Sequence, residues 1–181
     1  MLCANCKAVL QEDAVFCHKC GQRVVVETQD AGNWQLSHYV DSFQQPTAEW
    51  YITTKEMIQG TGAPMAFTFN LTIGVQCVID QKNIWFCFYQ MGIPAEHYLP
   101  YSNTLYNIEV LTGNGHKSAF IGQIENDGRI YLKNKDAFLA MLMNEEAPFK
   151  IHVSSNNNMN ISQSSYLFEI DPHGFKNIYI Q

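Results

Sequence analysis

Four of the six cysteines in this chain of 181 residues lie at positions 3, 6, 17 and 20. Cys3, Cys6, Cys17 and Cys20 form C-x2-C-x10-C-x2-C. A two-residue gap lets both thiolates of a pair reach one ion from a tight turn, and two such turns complete a tetrahedron. The spacing predicts one structural zinc ion per chain. Four sulfur ligands leave no open coordination position, which argues against a catalytic ion. His18 stands between two ligands but is not needed, so its ring is expected to be exposed. Gly21 follows the last cysteine, where positive φ lets the backbone curl and aim its amides at sulfur. Lys7 holds the equivalent place after Cys6, so the first turn is the less ideal of the two.

Other chemistries fit the same four residues. Two disulfides would need an oxidising compartment, and four free thiols would leave the segment unfolded. A four-thiolate iron site has the same ligand geometry as zinc. The apolar residues Val9, Leu10, Val15, Phe16 and Val24 are too few to build a core by themselves, so metal binding is what lets this segment fold.

Outside the cysteines, catalytic signatures are missing. There is no G-x-S-x-G, H-E-x-x-H or G-x-x-x-x-G-K. His152 alternates with Ile151 and Val153 and reads as a solvent-facing strand residue. Asp171 and His173 flank Pro172 in a turn, where local hydrogen bonding accounts for them. Asp80, Asp127 and Asp171 each sit in a turn, without a reason to converge on calcium. Cys77 and Cys87 lie in the two arms of the hairpin "GVQCVIDQKNIWFCFY". A three-residue loop would set them opposite each other, whereas two or four would set Cys77 opposite Phe86. They are expected to be buried, reduced thiols.

These residues need elements to hold them. The chain is 46% hydrophobic and 13% aromatic, with net charge -6 and no apolar run long enough to span a membrane. The start lacks a basic stretch followed by an apolar one, so the expectation is a soluble, cytoplasmic protein without a signal peptide. No Lys/Arg stripe is present, which argues against nucleic acid and anionic membrane as partners. Apolar/polar alternation predicts strands at 34–40, 49–54, 66–79, 84–90, 104–112, 118–125, 128–132, 149–154, 165–170 and 175–180. Turn chemistry separates them at "DQKN" (80–83), "TGNG" (112–115), "NDG" (126–128) and "DPHG" (171–174).

One segment, "NKDAFLAMLMNEEAP" (134–148), has helical spacing instead. It places Phe138, Leu139, Leu142 and Met143 on one face, with Asn134 as cap and Pro148 as stop. Met141 and Met143 read as core or rim packing. Residues 154–160, "SSNNNMN", read as a hairpin loop. Trp50, Tyr51, Trp85, Phe86, Phe88, Tyr89, Tyr98, Tyr101 and Tyr106 crowd the middle of the chain, most of them suited to a core. The stretch "YLPYSNTLY" (98–106) is loop-like, and Tyr on a loop is favourable contact surface.

The expected architecture is mostly β. A zinc ribbon (1–26) and a linker (27–33) precede an antiparallel β-sandwich (34–181) with one short helix. "CANCKAVLQEDAVFCHKCGQRV" resembles the short zinc ribbons, C-x2-C-G-x2-L…F-C-x2-C-G, at the N-terminus of many bacterial proteins. Leu10, Phe16 and Gly21 match, and Lys7 replaces the usual first Gly. Such ribbons serve as adaptors, dimer contacts and nucleic-acid readers, so the resemblance implies metal binding alone. The remainder resembles bacterial β-domains of unknown function that follow such ribbons. Its landmarks are Trp34, "VDSFQQPT" (40–47), "GTGAPMAFTFN" (60–70), "FYQMG" (88–92) and "YLFEIDPHGF" (166–175). Gln44 stands where the first landmark carries Gly after Asp-x-Phe. The functional expectation is a non-enzymatic binding or scaffolding protein whose acidic β-domain holds a protein partner. Single-stranded nucleic-acid binding, or enzymatic action on carbohydrate or peptide, are the alternatives; the last would need a pocket with convergent carboxylates.

Overall fold

Period-two alternation becomes strand along most of the chain. The computed structural model describes residues 3, 5–11, 16–21, 30–63, 71–90, 93–94, 104–155 and 164–179. Its strands are β1 (Trp34–Val40), β2 (Pro46–Thr54), β3 (Ile58–Ala63), β4 (Leu71–Asp80), β5 (Ile84–Gln90) and β6 (Ile93–Pro94). Then come β7 (Leu105–Leu111), β8 (Lys117–Ile124), β9 (Ile130–Leu132), β10 (Phe149–Ser155) and β11 (Ser165–Ile170). Two short helices, α1 (Lys135–Asn144) and α2 (Phe175–Tyr179), complete the described elements.

The sheet closes on itself. Antiparallel pairing runs β4-β3-β11-β10-β7-β8-β9-β5 and returns to β4, an eight-stranded barrel where a two-sheet sandwich was expected. Closure depends on the short β5–β9 contact, Trp85↔Tyr131 and Phe86↔Ile130, and on the long β4–β5 hairpin. In-and-out alternation is the same for a sandwich and a barrel, so periodicity could not separate them. At ten residues, β4 is long enough to serve two neighbours on one edge. It pairs with β3 through Leu71–Val75 and with β2 through Val78–Asp80. The β1–β2 hairpin therefore branches away from the ring.

Eight strands enclose an interior that side chains can fill. Phe86, Tyr106, Ile108, Ile130, Phe149 and Ile151 are among the residues with no exposed surface. The helix α1 plugs one end: Phe138 and Leu142 are buried, and Phe138 meets Phe86, Phe120 and Phe149 edge-on at 5.9, 5.6 and 6.2 Å. Met141 and Met143 pack half-buried against this core. Asn134 makes no side-chain cap, and the helix ends before Glu145, whose backbone is already extended.

Two elements differ from the pattern read in the sequence. Residues 175–179 are helix rather than strand, because Gly174 (φ 79°) turns the chain and Phe175, Ile178 and Tyr179 share a helical face. Phe175 meets Trp34 edge-on at 5.0 Å, and the Trp34 indole donates to the Asp171 carbonyl at 2.9 Å. The strand β3 was not predicted, since Gly60 and Gly62 depress strand propensity. They are there because neighbours press close. A Cβ on Gly62 would come within 2.6 Å of the Tyr166 ring, and one on Gly60 within 2.7 Å of the Leu167 carbonyl oxygen.

Residues 30–33, at the end of the linker segment, are tied to the barrel. Asn177 donates to the Asp30 carbonyl at 2.7 Å, and the Asp30 carboxylate meets the His173 ring at 2.9 Å. Asp80, Asp127 and Asp171 each accept backbone amides of their own turns, at 2.5–3.1 Å.

Candidate metal centre

Each Cys-x-x-Cys pair is built by a backbone reversal. Lys7 donates its amide to the Cys3 carbonyl at 2.9 Å, and Gly21 donates to the Cys17 carbonyl at 2.8 Å. Both reversals need a left-handed residue, Lys7 at φ 55° and Gly21 at φ 69°. Gly adopts this freely and Lys does so at a cost, so the first turn carries a backbone strain that the second does not. Leu10 lies buried beside Cys3 and Cys17, forming the small apolar floor of the site. Phe16 does not join it and stays exposed, as does Val9.

The four sulfurs converge. Cys3, Cys6, Cys17 and Cys20 place their Sγ atoms within 4.8 Å of one another, with Cys3–Cys20 and Cys6–Cys17 each at 3.6 Å. Four thiolates about 2.3 Å from a central ion would stand roughly 3.8 Å apart in a tetrahedron, so this set can hold a metal ion. The separations are also far beyond a disulfide bond of about 2.05 Å. Asn5 directs its side-chain amide at the Cys20 sulfur, 3.8 Å away, a contact that orients a ligand. His18 is exposed, outside the set.

Proton affinities reflect the crowding. The Cys6 amide, helped by the Asn5 amide and by neighbouring sulfurs, holds the Cys3 thiol down at about 6. At Cys6 the Ala8 amide lowers the pKa, but burial and the surrounding sulfurs outweigh it and raise the thiol to about 11. Four sulfurs in this volume cannot all ionise without a cation among them.

The other residues singled out by sequence do not assemble into this centre. Cys77 opposes Phe86 across the β4–β5 hairpin and points into the barrel, whereas Cys87 faces outward. Both are free thiols, and burial raises the pKa of each. Phe86, Phe88 and Tyr106 are interior, while Trp85 is buried on the outer surface beneath the Arg129 guanidinium, 5.4 Å from its ring centre. Trp50 is half-buried against Tyr179. Tyr98 and Tyr101 lie outside the described residues, as does most of "SSNNNMN". His152 does face outward but is not alone: its ring lies between Glu109 (3.2 Å) and Ser165 (2.9 Å). Neither partner was legible beforehand, because both reach it through strand register. Comparison with protein-family models, with curated proteins and with solved structures finds no match for this chain.

Proposed function

We propose that this chain is a binding and scaffolding module: a zinc ribbon, held by Cys3, Cys6, Cys17 and Cys20, joined to an acidic β-barrel that engages a protein. The ion is zinc in a structural role, since a closed four-thiolate set suits its tetrahedral preference and leaves no position for a substrate. Purified protein should contain about one zinc per chain and be colourless; visible thiolate-to-iron absorption would overturn this.

One observation supports the protein-binding reading above all. The β1–β2 hairpin stands outside the closed ring and exposes Leu36, Tyr39, Val40 and Phe43, with Phe43 at 80% exposure on the tip. Asp41 holds that tip in shape, accepting the amides of Phe43 and Gln45 at 2.8 and 2.9 Å. A rigid, exposed aromatic is the kind of side chain that anchors an interface, and burying it is worth about 1.5–3 kcal/mol. Among the described residues β1 pairs only with β2, and strand addition along its other edge is the mode of binding that suits it. A photo-crosslinking side chain at position 43 should capture a discrete partner in the native cell, and Val40→Asp should abolish that capture. Equal capture from a control position such as Lys117 would defeat the reading.

A further inference from the structure

Outward-facing residues of four neighbouring barrel strands form a grid fixed by register. His152 on β10 stands directly opposite Glu109 on β7, and on its other side opposite Leu167 on β11. Ser165 lies two residues before Leu167, on the same outer face. The His152 Nδ1 is 3.2 Å from the Glu109 Oε2, and its Nε2 is 2.9 Å from the Ser165 Oγ. A carboxylate only accepts, so in the neutral ring Nδ1 carries the proton and Nε2 accepts from the serine hydroxyl. A nucleophile, a base that touches it and a carboxylate that orients the base are thus in series, the arrangement by which hydrolytic triads are recognised on unrelated folds. A depression of about 310 Å³, lined by Glu109, Leu111, Ala119, His152 and Leu167 and flanked by Lys117 and Lys150, reaches the His152 ring, and Ser165 lies outside its lining. Leu167 is 47% exposed there, an apolar surface available to an acyl chain.

We propose that Ser165, His152 and Glu109 form a hydrolytic site for short-chain acyl esters. Ser165 and His152 are the catalytic residues, and Glu109 is a positioning residue. The Ser165 Oγ attacks the ester carbonyl carbon while its proton passes to the His152 Nε2. The tetrahedral adduct collapses, the carbon–oxygen bond to the alcohol breaks, and the departing oxygen takes the proton from Nε2. Water then attacks the acyl-serine with His152 again as base, the acid leaves, and Ser165 recovers its proton. The ammonium groups of Lys117 and Lys150 supply the positive charge nearest the cavity, favouring acyl groups or leaving groups with an anionic end. This inference departs from the expectation of a chain without enzymatic activity. It is also independent of the β1–β2 hairpin.

The test uses the full, metal-loaded chain with p-nitrophenyl acetate and a fluorophosphonate probe. Ser165→Ala and His152→Gln should each lower turnover about 100-fold, the lower end of what general base catalysis contributes. Glu109→Gln should lower kcat with KM unchanged, and Glu109→Asp should restore it. On the unmutated chain, peptide mass spectrometry should place the phosphonyl group on Ser165, a readout that needs no variant to fold. Loss of turnover in His152→Gln but not in Ser165→Ala would mean that the imidazole acts alone, and would overturn the serine assignment. Labelling of Ser154, which sits across from Ser165, would also overturn it. So would a rate equal to buffer with no label.

Discussion

Gln44 occupies a position made for glycine, and replacing it should stabilise the barrel. The hairpin loop between β1 and β2 closes with the Asp41 amide on the Gln45 carbonyl at 2.9 Å and the Gln44 amide on the Asp41 carbonyl at 3.0 Å. This is a turn followed by a left-handed residue, and Gln44 is that residue at φ 62°. A side chain in that region costs about 1–2 kcal/mol, which Gly does not incur. Gly in turn loses about 0.4–1 kcal/mol through the greater freedom of the unfolded chain. The net gain for Gln44→Gly is therefore about 0.5–1 kcal/mol. For a domain of this size that is a rise of roughly 1–4 °C in Tm. Gln44→Ala keeps the φ penalty and should leave Tm nearly unchanged, so the pair isolates backbone conformation from side-chain contacts. Thermal unfolding followed by circular dichroism reads both. A Gly variant melting at or below the Ala variant would refute the reasoning.

The same logic applies to Lys7, also left-handed at φ 55°: Lys7→Gly should tighten metal retention about fivefold in a chelator competition, as relief of about 1 kcal/mol implies. His173 and Asp30 should give a pH-dependent tie. Asp30 raises the His173 pKa above 6.5, chiefly through their hydrogen bond, so that contribution is complete below 6.5 and fades as pH rises through the raised value. His173 lowers the Asp30 pKa below 3.8, so that contribution is complete above 3.8 and fades as pH falls through the lowered value. The Tm difference between the chain and His173→Phe should peak between pH 3.8 and 6.5; a flat difference across pH 3–9 would discard the tie. Removing the metal with a chelator should loosen the ribbon while the barrel keeps its own cooperative melt, because the barrel core contains no cysteine of the metal set. Loss of the sheet signal on chelation would show the opposite.

How far the sequence could be read depended on how local each signal was. The clustering of the four cysteines was legible because Cys-x-x-Cys acts within one turn, and two turns close in space need only a short connection. Strands and turns were legible for the same reason: Asp80, Asp127 and Asp171 bond to amides two or three residues away. Closure of the barrel was not, because it rests on Trp85 and Phe86 meeting Tyr131 and Ile130, a pairing that no local pattern encodes. The helical spacing of Phe175, Ile178 and Tyr179 was present in the sequence but so short that a strand fitted as well.

Two turns hold a left-handed backbone without glycine. Lys7 and Gln44 are the two described non-glycine residues with positive φ. Both turns keep their left-handed geometry without the residue that makes it easy, so the surrounding hydrogen bonds must impose it. At Lys7 the amide bonds back to Cys3, and the sulfurs of the two turns come together; at Gln44 the Asp41 carboxylate and carbonyl grip the loop. Each turn held in this way positions a group. In the first turn that is Cys3 and Cys6, and in the second it is Phe43. Sequence alone does not mark such positions, whereas the structure connects each to the group it presents.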